Sequence, residues 1–243
     1  RPGRVSGSLP RRLAAELLGT ALLVAAVVGS GIMAVRLSPD DVGLQLLQNA
    51  WATALALGVL ITLLGPVSGA HLNPAVSLGV WWAARGTPGG LTLGGAGAYV
   101  GAQLAGGLGG AALANVMFEV PTKLSTTARG GTGQLVGEVV ATAGLVALVL
   151  ALVRTSRTHL AAPAVAAWIG AAVWFTSSTS FANPAVTVGR TVSDTFAGIA
   201  PGDAPAFVLA QLLGAAVGLG VVGVLQPRTA RPTRDPEPVA IDL

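Results

Sequence analysis

The sequence predicts an all-α membrane protein, a bundle of six transmembrane helices plus two re-entrant half-helices arranged as an inverted repeat. Three observations predict it. The 243-residue chain is 52% hydrophobic and only 10% charged, with a mean hydropathy of +0.71, whereas a soluble domain carries about 25% charged residues. Six apolar runs approach the ~20 residues that cross a bilayer as helix. Finally, Asn-Pro-Ala-Val occurs twice, at Asn73 to Val76 and at Asn183 to Val186, each time inside an apolar stretch.

The spans fall at about Leu13–Val35, Leu44–Leu64, Leu91–Met117, Leu135–Val153, Leu160–Ser177 and Ala204–Leu225. The first follows Arg1, Arg4, Arg11 and Arg12; it is long for a signal peptide and lacks a convincing cleavage site. Six spans place both ends on one side. If that side is cytoplasmic, Arg85, Arg154, Arg157, Arg228, Arg231 and Arg234 join the N-terminal arginines there. Arg36, Lys123, Arg129 and Arg190 are left outside, so the positive-inside rule favours cytoplasmic ends. The reading gives an N-terminal arm at 1–10, a channel domain at 11–225 and a Pro-rich, charged tail at 226–243 whose composition predicts disorder.

The channel domain divides into repeats at about 11–120 and 134–225. "AAELLGTALLV" around Glu16 parallels "VGEVVATAGLV" around Glu138, and "GAQLAGG" around Gln103 parallels "LAQLLGA" around Gln211. Three spans per repeat is an odd number, so the second repeat enters the membrane from the opposite face. Inverted repeats of this kind place a site at the midplane between them.

After Leu64 the stretch "GPVSGAHLNPAVSLGVWWAARG" is too short to cross twice and too apolar for a plain loop. Gly65, Pro66 and Gly69 resist helix; Asn73 is a favoured cap, and Pro74 is preorganised for the first helical position. Pro74 to about Ala84 then makes a half-helix of ~15 Å, and Phe181 to about Ser193 repeats it from the other side. The two N-termini, each with roughly half a positive charge, meet at the midplane. Irregular backbone survives there only in protein or along a wet cavity. The carbonyls of Gly69, Ala70 and His71, and of Thr179, Ser180 and Phe181, would line that cavity, with the Asn73 and Asn183 amides as donors. A file of acceptors, a central donor pair and a positive midplane describe a pore for neutral hydrogen-bonding solutes.

By "SGAHLNPAV" with Ala75, "FANPAV" with Pro184 and Ala185, the two glutamates and the two Ala-Gln-Leu segments, residues 11 to 225 resemble the major intrinsic protein family, the aquaporins and aquaglyceroporins. The resemblance implies an aquaporin-like bundle, passive bidirectional flow, and a homotetramer with one pore per subunit in membrane lipid. The Arg-rich, Lys-poor composition, with abundant Ala and Gly, looks like a GC-rich bacterial coding bias, and a bacterial inner membrane is the expected location. The resemblance also implies a four-residue outer filter with Arg three residues after the second Asn. Here Val186 stands there, and offsets from the two Asn residues put the other three positions at Thr53, Ala171 and Ser180. Such a filter is small-sided, uncharged and wide. It resembles that of a bacterial subgroup associated with arsenic resistance, which implies metalloid hydroxides such as arsenite, and methylated arsenicals, beside glycerol-like polyols and water. The alternatives are a water and glycerol facilitator with no arsenical role, and a proton-coupled transporter relaying through Glu16 and Glu138. The resemblance implies instead that each carboxylate accepts hydrogen bonds from the non-helical leg before its Asn-Pro-Ala.

Other residues receive structural expectations. His71 is a donor in the inner leg rather than a protonation gate. Gln103 and Gln211 tie the repeats together, and Gly94, Gly101, Gly106 and Gly110 allow close helix packing. Trp51, Trp81 and Trp82 pack or anchor at interfaces. Arg190, one turn beyond Val186, stands in an open outer vestibule or pairs with Asp194. Cysteine is absent, which removes disulfides and thiolate chemistry. The sequence shows no Ser/His/Asp set, phosphate loop or metal-ligand cluster, so neither enzyme activity, nor a metal, nor a cofactor is expected. Its charges sit in short loops and tails, which argues against a nucleic-acid partner.

Overall fold

Among the described residues, apolar runs interrupted by short polar segments fold as eight α-helices, and six helical segments, one of them α-helix plus a 3-10 turn at Thr158–Phe175, are long and apolar enough to cross a membrane. The computed structural model describes residues 7–226; the tail and most of the N-terminal arm lie outside the described residues. In chain order the helices are α1 (Leu9–Leu37), α2 (Val42–Ser68), the half-helix α3 (Pro74–Ala84), α4 (Leu93–Met117), α5 (Thr132–Arg154), α6 (Ala161–Phe175), the half-helix α7 (Pro184–Arg190) and α8 (Ala204–Leu225). A single 3-10 turn at Thr158–Leu160 precedes α6. Large apolar side chains such as Leu55, Val59, Leu63, Leu209 and Leu213 point outward, where lipid satisfies them.

The sequence duplication reappears in the packing. α1 lies most extensively against α4, and α5 against α8. Both contacts are backbone to backbone and use a glycine pair four residues apart. A Cβ on Gly110 would come 2.1 Å from the carbonyl oxygen of Ala21, and one on Gly218 would come 2.5 Å from that of Ala143. Between helices with no hydrophobic drive to associate, small residues give the close approach that dispersion requires. Gly94 and Gly101, expected in the same role, have open space where a Cβ would stand. Five residues separate Gly101 from Gly106, about 140° of helix rotation, which turns the earlier pair away from α1.

Two element boundaries differ from expectation. α2 runs through Gly65 and Pro66 to Ser68. Proline in a last turn forfeits one hydrogen bond near an end that frays anyway, so the helix continues to a left-handed Gly69 cap at φ 91°, whose N–H reaches the Gly65 carbonyl at 2.9 Å. α7 spans seven residues and stops at Arg190, well short of Ser193. The chain from Val192 to Ala200 is non-helical and packs at the end of the bundle opposite Leu9 and Leu225.

Candidate functional site

The two half-helices start at the same depth because each is begun by the same pair of residues. Asn73 and Asn183 sit in extended backbone, and their side-chain oxygens accept from the N–H of Ala75 at 2.8 Å and of Ala185 at 2.9 Å. Pro74 and Pro184 follow, where a missing N–H costs nothing. The amide nitrogens cross over. Asn73 Nδ2 donates to the Ala182 carbonyl and Asn183 Nδ2 to the Leu72 carbonyl, both at 2.8 Å. An amide has two N–H donors, so each asparagine keeps one without a protein partner among the described residues, beside the cavity that both line.

The legs that lead to these caps carry the strain. Ala70, Leu72, Thr179, Ser180 and Ala182 all have positive φ, between 46° and 61°, a region that non-glycine residues seldom occupy. Such conformations persist only when their surroundings over-determine them. One buried carboxylate does so in each repeat. Glu16 accepts from the His71 N–H at 3.0 Å, the Leu72 N–H at 2.7 Å, Ser68 Oγ at 2.6 Å and Gln103 Nε2 at 2.7 Å. Glu138 accepts from the Phe181 and Ala182 N–H groups at 2.8 Å and from Gln211 Nε2 at 2.6 Å. Gln103 also donates to Ser77 Oγ and Gln211 to Thr187 Oγ1. Each glutamine therefore joins its glutamate to the half-helix of its own repeat. The expectation that it ties the two repeats is corrected, because the crossed asparagines make that link.

A cavity of about 110 Å³ runs past these groups, lined by Gly69, Ala70, His71, Thr179, Ser180 and Phe181 as well as both asparagines. At ~10–15 Å³ per water it holds a short file. Apolar walls come from α1, α2, α5 and α6, including Leu57, Val165, Ile169 and Val173. His71 Nδ1 lies 3.1 Å from Ser77 Oγ, and its ring meets the edge of Tyr99.

Of the four residues expected in the filter, Thr53, Ser180 and Val186 line the cavity and Ala171 does not. Ala171 is exposed on the outside of α6. Val165, Ile169 and Val173 form the inward stripe at four-residue spacing; Ala171, two residues from Val173, is turned ~200° away. The fixed offset from Asn183 fails because α6 ends at Phe175 and a turn intervenes. Val173, bulkier than alanine, lines the cavity from α6 instead; the i, i+4 stripe in the sequence was the signal that could have found it. The hydroxyls of Thr53 and Ser180 are buried without a protein partner.

Arg190 also lines the cavity, yet it is buried rather than set in an open vestibule. Its Nε donates to the Ala197 carbonyl, and its guanidinium lies 3.4 Å over the Phe181 ring. Arg129, counted in the sequence only as a loop charge, sits 5.1 Å from the same ring and donates to the carbonyls of Gly198 and Phe196. Burial lowers its pKa from the ordinary value. The expected Arg190–Asp194 pair does not form, since the helix ends at Arg190 and the four-residue relation lapses. Asp194 instead meets Lys123 at 2.9 Å and the N–H and hydroxyl of Thr126. These partners, Lys123 first, hold its carboxyl down at about 2. Trp51 and Trp82 are exposed.

Comparison with known proteins gives a match to the family described as Major intrinsic protein over residues 5–182. The chain is 52% identical over 227 residues to the aquaglyceroporin AqpS of Rhizobium meliloti (strain 1021), covering 92% of this chain and 93% of that one. It is 34% identical over 114 residues to the propanediol uptake facilitator PduF of Citrobacter freundii, covering 47% of this chain and 39% of that one. Among solved structures, the aquaglyceroporin from Plasmodium falciparum superposes with a TM-score of 0.68 at 20% identity, over 90% of this chain and 98% of that one, and so shares its fold.

Proposed function

The chain belongs to the major intrinsic protein family, and we propose that it is a passive channel for water and small neutral polyols of the glycerol class, with no enzymatic step. One observation carries the reading: the side chain of Asn73 is fixed by two hydrogen bonds and that of Asn183 by three, and each keeps one N–H beside the cavity. A solute hydroxyl can accept from those donors while it gives its proton to leg carbonyls, whereas a cation meets donors and two helix N-termini. The similarity to an aquaglyceroporin and to a propanediol facilitator supports polyols over the arsenicals suggested by the filter sequence. Neutral metalloid hydroxides have the same hydrogen-bonding class and belong to the proposal as secondary solutes.

The filter is Thr53, Val173, Ser180 and Val186, with the two unpartnered hydroxyls as its solute contacts. Its positive charge comes from Arg190, one turn beyond Val186, where it repels cations from the outer end. The multi-pass protein is placed in a bacterial inner membrane with both ends cytoplasmic, as a homotetramer whose mass in detergent checks the assembly. Stopped-flow light scattering of proteoliposomes tests the solute class. Glycerol gradients should collapse faster than in empty vesicles, arsenite should follow, and Val186→Arg should slow both more than water. Equal slowing of all three, or none, would remove Val186 from the narrowest ring.

A further inference from the structure

A second cavity, about 780 Å³, opens between α3, α5 and α8 on the face that carries Leu9 and Leu225. Its apolar wall on α8 extends from Leu212 to Gly223. Eleven residues at ~1.5 Å each make about 16 Å, the depth of one leaflet of a ~30 Å hydrocarbon core. The wall is unfilled: a Cβ on Gly220 or Gly223 would meet nothing within 4 Å. At the mouth stand Arg85 and Arg154.

Both arginines have donors to spare. Arg85 stacks 3.3 Å over the Trp82 ring, and its guanidinium N–H groups have no acceptor among the described residues. Arg154 uses Nη1 to hold the Val222 and Gln226 carbonyls at the end of α8, which leaves Nη2 and Nε without an acceptor among the described residues. Neither pairs with a carboxylate, as the one ion pair among the described residues is Lys123–Asp194 on the other face. All five described acids outside the buried glutamates, Asp40, Asp41, Glu119, Asp194 and Asp203, lie on that other face. The face around the crevice carries Arg11, Arg12, Arg85, Arg154 and Arg157 and no described acid. The described part of a second copy therefore has no negative group to offer there from the same side of the membrane.

We propose that this crevice binds an anionic phospholipid of the leaflet on the side of the chain ends. Its phosphate lies against Arg85 and Arg154, and an acyl chain fills the groove beside Leu212, Leu219 and Gly220. Basic pockets between transmembrane helices recognise lipid headgroups by this combination. Trp81 and Trp82 line the groove and report on its occupant.

The test is tryptophan quenching of the full chain reconstituted with brominated phosphatidylglycerol or brominated phosphatidylcholine, each referred to its unbrominated form. The wild type should quench at a lower mole fraction of phosphatidylglycerol. Arg85→Gln should cut that headgroup preference about five-fold, the effect of one arginine near a membrane surface, and Gly220→Leu should abolish it by filling the groove. Arg157→Gln, which removes a charge from the same face outside the groove, should leave it unchanged. Equal quenching by the two lipids would overturn the proposal, as would an Arg157→Gln loss matching that of Arg85→Gln, which would show only a diffuse field. Quenching by both lipids no greater than in a Trp81→Phe/Trp82→Phe variant, which leaves the exposed Trp51 and Trp174 as the background, would put protein, the tail or a second copy, in the crevice and would also overturn it.

Discussion

Asn183 does two things with one planar group: its oxygen caps α7, and its nitrogen both locks the opposite leg and faces the cavity. Asn183→Asp keeps the cap but replaces the donor with an acceptor opposite the Leu72 carbonyl and adds negative charge at the midplane. Glycerol flux should fall and sodium leak should rise, read by a sodium-sensitive dye in the same vesicles. Glu138→Gln tests the buttress. It leaves one of two leg N–H groups facing an amide donor, which should cost about 2 kcal/mol or more and appear as a lower unfolding midpoint in detergent. The asparagines were legible in the sequence because each opens the same Asn-Pro-Ala-Val, and the glutamates because each sits in a similar apolar segment at the start of its repeat. Ala171 was misplaced because a fixed offset from Asn183 was counted across the turn after Phe175, where the Val165, Ile169 and Val173 stripe would have marked the inward face of α6.

At the scale of elements, the α1–α4 contact distinguishes glycines that the sequence cannot rank. Gly110→Ala forces a methyl onto the Ala21 carbonyl and should cost about 1–3 kcal/mol as overpacking. Gly101→Ala, with open space around it, should stabilise by up to about 1 kcal/mol through helix propensity. Thermal unfolding of the two variants side by side checks the contrast. The outer cover is held differently, by Asp194 between Lys123 and Thr126. Its carboxyl pKa is depressed from an ordinary 3.8 to about 2, so the staple contributes fully above about pH 4 and is lost as pH falls through about 2. Asp194→Asn should make the 119–131 loop protease-sensitive already at neutral pH. Helix α2 and α7 boundaries were less legible, since Pro66 stops a helix only where the lost hydrogen bond matters, and α7 is ended by the cover that packs on it.

For the whole molecule, the inverted repeat follows from counting: three spans per copy, an odd number, and a shared motif that must meet itself in the middle. The positions of positive φ obey the same symmetry, with Ala70 and Leu72 in one leg matched by Ser180 and Ala182 in the other. What counting could not supply is the outer end, where Arg190 and Arg129 share one phenyl ring, because that arrangement depends on loop carbonyls far apart in sequence. The account's central claim is passive conduction through the cavity between the asparagines. The direct measurement is glycerol entry into proteoliposomes with and without an imposed proton gradient. The account predicts downhill entry at the same rate in both cases, stopping when the concentrations are equal. Accumulation driven by the gradient, or entry no faster than in protein-free vesicles, would contradict it.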